Sequence, residues 1–179
     1  DLTLAAQMDR GQLEVSPGIT ECPWLASRLK DRLQAISENL GVEVNLVLAD
    51  PVRPFAVDPD ISERIFSRLL AAVIIGCENG EELKGRFHTE LGTTAWNQFK
   101  LDLPRQLSGQ SEDELLNSSP QATKSTLGSP LLGLGFSLRL VRNLAHSVGG
   151  NLQIQKESLL LSLPASQDGH SHYQDKWGE

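Results

Sequence analysis

Four histidines, two cysteines, three tryptophans and a run of glutamates are the side chains from which this chain could build a metal site, a nucleophile or a stacking platform. His88, His146, His170 and His172 could ligate a metal or accept a phosphoryl group. His146 stands near the end of a helical stretch, where it suits the C-terminal dipole, and His170 and His172 fall in a polar tail. Cys22 and Cys77 show no Cys-x-x-Cys spacing and read as reduced thiols. No residue stands in a context that marks a Ser–His–Asp or Cys–His arrangement. Trp24, Trp96 and Trp177 read as packing or surface anchors, and Glu78, Glu81 and Glu82 as a solvated loop. What stands out is Gly133-Leu134-Gly135, which follows a Ser- and Pro-rich stretch and opens a helix that ends at Gly149-Gly150.

The elements around that segment follow from periodicity. Leu25, Leu29, Leu33, Ile36 and Leu40 recur at spacings of three and four and predict one apolar helical stripe, ended by Gly41. Val42, Val44, Leu46 and Leu48 alternate as in a half-buried strand. Asp58-Pro59 starts a second helix with a capping carboxylate and a proline at the first position, and Ile61, Ile65, Leu69, Ala72 and Val73 form its buried face. Residues 83–91 and 95–103 read as paired strands, with Ala95, Phe99, Leu101 and Leu103 on one face and Asn97 as the exception. Residues 104–130 are rich in Ser, Gln, Pro and Gly and read as a long mobile loop. Within it, Ser111 and Glu114 have capping-box spacing before a short helix. A third long helix carries Leu134, Leu138, Val141, Ala145 and Val148 on one face. Leu152 and Ile154, then Leu159, Leu161 and Leu163, predict a closing hairpin. The sum is an α+β fold, a two-layer sandwich with helices packed on one face of a mixed β-sheet.

Composition narrows the partners. A length of 179 residues suits one domain, and 39% hydrophobic residues suffice for a core. Sixteen basic against 23 acidic residues leave a net charge of −7, which gives no electrostatic reason to bind nucleic acid or an anionic membrane. Arg139 and Arg142 share a helix face and read as solvated. No apolar run approaches the roughly 20 residues of a membrane span, and no signal-peptide pattern opens the chain. The first residue is Asp, which reads as a fragment of a longer, cytoplasmic protein.

The run Leu131-Leu132-Gly133-Leu134-Gly135-Phe136, continuing through His146 to Gly149-Gly150-Asn151-Leu152 and on to Leu163-Pro164, resembles the second glycine box and closing hairpin of the histidine kinase ATPase family. That family shares its Bergerat-type fold with gyrase, Hsp90 and MutL. Upstream, Asp58-Pro59 with Leu69-Leu70 and Ala71–Ile74 resembles the lead-in and helix of the family's N box. Residues 1–14 resemble the end of the dimerisation helix, 15–165 the ATPase domain, and 166–179 form a polar tail.

The resemblance implies ATP and Mg²⁺ as cofactors. It also implies the preceding dimerisation and phosphoacceptor helices as partners, in a homodimeric bacterial sensor kinase of a two-component system, together with a response regulator or partner kinase. It places asparagines for Mg²⁺ on the N-box helix, an adenine-binding aspartate, glycines after it, and the second glycine box at the phosphates. Those positions here hold Arg68 and Ala72 for the asparagines, and Asp102 for the aspartate. Pro104 and Gln106 replace the following glycines, Leu131 replaces the first glycine of the second box, and Gly133, Leu134 and Gly135 complete it. Neither Arg68 nor Ala72 can ligate a cation, although a guanidinium suits phosphate oxygens. The expected function is therefore a degenerate, pseudokinase form of the domain that acts as a scaffold in a phosphorelay. An active kinase domain and the vestigial domain of a histidine phosphotransferase are the alternatives.

Overall fold

The computed structural model describes residues 18–117 and 133–166. The helix end expected over 1–13, Leu131 and the tail beyond 166 lie outside the described residues. In chain order the elements are α1 (Cys22–Leu40), β1 (Glu43–Leu48), α2 (Pro59–Ile75), β2 (Glu82–Glu90), β3 (Trp96–Asp102), α3 (Glu112–Leu116), α4 (Leu134–Ser147), β4 (Asn151–Ile154) and β5 (Ser158–Pro164). The strands form one five-stranded sheet in the order β1-β2-β3-β5-β4. β1 and β2 are parallel, and every other pair is antiparallel. The helices lie over one face, as the α+β sandwich requires.

Local chemistry sets the boundaries. Gly41 sits in the left-handed region at φ 65° and closes α1, where a side chain would be strained. Asp58 caps α2 by accepting from the backbone N–H groups of Asp60 (2.9 Å) and Ile61 (3.3 Å), and Pro59 follows at the first position. α2 runs through the middle of the helix layer, packed on α1 and on α4. Ile61, Ile65, Phe66, Leu69, Leu70, Val73 and Ile74 are buried along it, each contributing on the order of 1.5–3 kcal/mol by leaving water.

Beneath α2 four of the chain's five phenylalanines meet. Phe55, Phe66, Phe87 and Phe99 have ring centroids 4.6–6.1 Å apart. Gly85 makes room for this cluster, because a Cβ there would lie 2.5 Å from the Phe99 ring. The fifth, Phe136, is exposed.

Asn97, the polar exception on β3, faces the core and is buried. Its side-chain amide N–H donates to the Arg53 carbonyl, and its oxygen accepts from the Thr89 hydroxyl at 2.6 Å. The Thr89 oxygen in turn accepts from Arg53 N–H at 2.8 Å. A satisfied polar network thus fastens the β1–α2 connection to the β2–β3 hairpin.

Residues 104–117 depart from the loop expected there. Leu107 N–H and Ser108 N–H both donate to the Pro104 carbonyl at 2.9 Å, forming a helical turn that buries Pro104 and Leu107. α3 follows with the expected capping box, Ser111 with Glu114, and buries Leu115. Apolar side chains at 104, 107 and 115 pin this part of a polar stretch to the helix layer. No helix among the described residues is long and apolar enough to cross a membrane.

Candidate functional site

The helix face singled out from the sequence is on α2. Arg68 is exposed, and among the described residues it has no ion pair or hydrogen bond, so the surface carboxylate partner that arginines commonly find is absent there. Ala72 lies one turn further on and is partly buried against the core. Between them the helix offers a guanidinium and a methyl group, and no oxygen ligand.

At the end of β3, strand alternation decides what faces this helix. Phe99 and Leu101 are buried beneath the helix layer, so Lys100 and Asp102 point to the opposite, open face of the sheet, and both are exposed. Asp102 stands in register with Ser158 on β5. The next residue with helix-side parity is Leu103, which packs against the core, and its N–H donates to the Glu157 carbonyl at 2.9 Å. Arg68 and Asp102 are therefore on different sides of the sheet, and the residue beneath the helices is apolar. Sequence spacing points to the carboxylate of Asp102; the burial alternation of β3 shows which face it takes. Gln106 is exposed, whereas Leu107 reaches the C-terminal end of α2, where a Cβ on Gly76 would lie 2.9 Å from its Cδ1.

The glycines at the start of α4 differ from one another. Gly133 is the N-cap at φ −96°, an ordinary conformation for any residue, with no side-chain cap. The only described atom within 4 Å of a Cβ there is the Ser137 Oγ at 3.9 Å. Gly135 is pressed against the C-terminal end of α3, where a Cβ would collide with the Leu116 carbonyl group. Arg139 donates to that same carbonyl, and Arg142 pairs with Glu112 at 2.8 Å while donating to the Leu152 carbonyl at 3.2 Å and 3.3 Å. Leu134 is buried in the core. His146 is exposed, with Nε2 3.0 Å from the Asn151 Oδ1, a surface contact at the helix end.

Two groups of shifted titration lie elsewhere. Glu63 on α2 is nearly buried and receives Arg32 Nη1 at 2.7 Å and Arg28 Nε at 3.1 Å. Burial pushes its carboxyl up, but the hydrogen bonds and charges of Arg32 and Arg28 outweigh that and hold it below its ordinary value. Arg28 also stacks 5.7 Å from the Trp24 ring centroid. Burial, with help from Glu21, pushes the Cys22 thiol up to about 12; burial with Glu81 does the same to Cys77. Neither thiol has the lowered pKa of a nucleophile. Nothing in the sequence periodicity had drawn attention to Glu63, since its role comes from α1 lying alongside.

The donors present at Arg68, Ala72, Leu103 and Leu107 do not fit a magnesium–nucleotide complex. A hard cation needs oxygen ligands, and the adenine amino group needs an acceptor.

No family model matches the sequence, and no curated protein does. Solved structures do match. The histidine kinase AdeS of Acinetobacter baumannii is similar at a TM-score of 0.62 and 13% identity, over 93% of this chain and 76% of that one. The mycobacterial sensor histidine kinase MprB gives 0.57 at 14% identity, covering 83% and 97%. Full-length ShkA in complex with AMPPNP gives 0.58 at 12% identity, covering 84% of this chain and 31% of that chain. The fold of this chain is the fold of histidine kinase ATPase domains.

Proposed function

We propose that this chain, with 15–165 as its folded unit, is the ATP-binding-type domain of a cytoplasmic, two-component sensor histidine kinase that has become a pseudokinase. In this reading it keeps the sandwich to support the dimerisation helices of a homodimeric protein. It also contacts a response regulator or partner kinase within a phosphorelay, and it does not bind Mg–ATP productively. The observation that carries the reading is the end of β3. Asp102 lies on the open face, and apolar Leu103 lies beneath the helices. A polyanion with its metal is costly to desolvate unless charge or hydrogen bonds replace the lost water. Leu103 and Ala72 offer neither, and Arg68 offers one charge from an exposed position.

Calorimetric titration of the chain with ATP, with and without magnesium, tests this directly. ShkA is in complex with AMPPNP, so nucleotide binding is the natural alternative on this fold. The expected result is no saturable heat up to about 1 mM nucleotide, an affinity of roughly −4 kcal/mol that nonspecific contacts can reach. Magnesium-dependent saturation at micromolar concentration would reject the pseudokinase reading.

A further inference from the structure

The two edges of the sheet are finished differently. β4, at one end of the strand order, is four residues long. Gln155 N–H donates to the Ser158 carbonyl, so alternation turns Gln153 toward β5 and Leu152 away from it. The outward Leu152 carbonyl is covered, accepting from Arg142 Nε at 3.3 Å and Nη2 at 3.2 Å. Short strands and covering side chains are the usual protection of a sheet edge.

β1, at the other end, has neither. It runs six residues, Glu43–Leu48, in unbroken parallel register with β2, and contains no lysine, arginine, proline or glycine. Glu43 N–H donates to the Glu81 carbonyl and Ala49 N–H to the Phe87 carbonyl, so the odd-numbered residues bond to β2. The N–H and C=O groups of Val44, Leu46 and Leu48 therefore face outward. Among the described residues nothing hydrogen-bonds to them.

A groove of about 560 Å³ runs beside this edge, between α1 and the start of β1. Leu33, Val42 and Val44 give it an apolar floor, and Asp31, Glu38 and Glu43 line it against one cation, Lys30. All four charged side chains are exposed, and none has an ion pair among the described residues. We propose that the β1 edge is an interaction surface for strand addition. Its occupant is an extended segment of a partner protein in which basic and apolar side chains alternate.

Main-chain hydrogen bonds to Val44, Leu46 and Leu48 supply the affinity, and the side chains supply the choice of partner. On the helix side, basic residues lay their methylene stems over the apolar floor and bring their charges to Asp31 and Glu38. On the open face, apolar residues pack on Val47, which is 40% exposed. A second copy of this chain is the poorer occupant. Full antiparallel overlap of two β1 strands sets each Glu43 opposite Ala49 and beside Asp50 of the other copy, with no cation on either strand.

The probe is a fluorescein-labelled peptide, Lys-Val-Lys-Val-Lys-Val-Lys, titrated with the whole chain and followed by anisotropy. Saturable binding is expected. It should weaken at least about tenfold when glutamates replace the lysines, when every peptide amide is N-methylated, or in the Asp31→Lys, Glu38→Lys variant. Both substituted residues are exposed, and circular dichroism checks that the variant folds; the peptide comparisons do not depend on it. Hydrogen exchange followed by NMR reads the ladder itself. The amides of Val44, Leu46 and Leu48 should exchange freely in the chain alone and slow about tenfold or more with saturating peptide.

Absent binding, equal binding of the N-methylated peptide, or unslowed exchange at those three amides overturns strand addition. Equal binding of the glutamate peptide, or undiminished binding by the folded double variant, overturns the basic occupant. Protection in the chain alone that rises with its concentration identifies a second copy and overturns the partner. Protection that ignores concentration shows the edge closed from within and overturns the surface. None of these outcomes involves nucleotide, so they are separate from the Mg–ATP titration, which bears on the pseudokinase reading alone.

Discussion

The two halves of the helix layer treat their glycines in opposite ways. Around α4, Gly135 and Gly150 stand where neighbouring backbone leaves no room for a side chain, against the Leu116 and Ser162 carbonyls respectively. Around α2 and the end of β3, the positions to which the family resemblance would assign glycine or oxygen donors carry Pro104, Gln106, Arg68 and Ala72, and Leu107 fills the gap at Gly76. The comparison teaches that a retained glycine need not mark a retained ligand. Close packing on α3 and β5 by itself accounts for Gly135 and Gly150, with no ligand required. Substitution within the glycine pair is the strongest way to break this account. Gly135→Ala drives a Cβ into immovable backbone and should cost about 3 kcal/mol, lowering the thermal midpoint by about 10 °C. Gly133→Ala should fall within about 0.5 kcal/mol of the parent. Equal effects in differential scanning fluorimetry would show that packing does not distinguish the two.

The α1–α2 side of the layer offers a smaller and differently signed test. Glu63 has a side chain only 8% exposed, whereas Arg28 and Arg32 are 56% and 58% exposed. Removing both arginines strands a desolvated carboxylate, and removing the carboxylate leaves two hydrated guanidinium groups. The Arg28→Ala, Arg32→Ala pair should therefore cost about 2 kcal/mol and Glu63→Gln about 1 kcal/mol in urea denaturation. Because the carboxyl is held below its ordinary value, its contribution is complete above the unfolded value near 4.3 and disappears as pH falls through the lower folded value. The stability gap between the parent and Glu63→Gln should then be flat from pH 7 to about pH 5 and close below about pH 4. A gap that widened on acidification would contradict the assigned sign.

Much of the architecture was legible in the sequence because it rests on local rules. The stripe of α1, the Asp58-Pro59 cap, the Gly41 stop and the Ser111–Glu114 capping box each need only a few adjacent residues, and each is present. Asn97 could be marked as an exception but not explained, because its partners Arg53 and Thr89 come from other segments. The turn at 104–108 was hidden for a related reason: Pro104 and Leu107 sit among polar residues, and only the absence of a side chain on Gly76, distant in sequence, gives Leu107 somewhere to go. At the candidate site, motif spacing carries no information about which face of β3 a residue takes. Motif spacing points to Asp102, and because a strand reverses face at every step that side chain lies on the open face while Leu103 packs against the core, a placement that spacing does not reveal.

That one-residue difference supplies the smallest and most discriminating effect. Asp102 is exposed, has no ion pair among the described residues and lies on the open face of the sheet. Asp102→Ala should shift stability by no more than about 0.5 kcal/mol and leave any nucleotide titration superimposable on the parent. Leu103→Asp places a carboxylate on the helix side at a half-buried site, so it should cost more than Asp102→Ala, about 2 kcal/mol, from desolvation of the new charge. An Asp102→Ala variant that weakened a measurable ATP affinity would mean that β3 ends with its carboxylate turned toward the helices, and the contrast between the α2 and α4 halves would lose its clearest member.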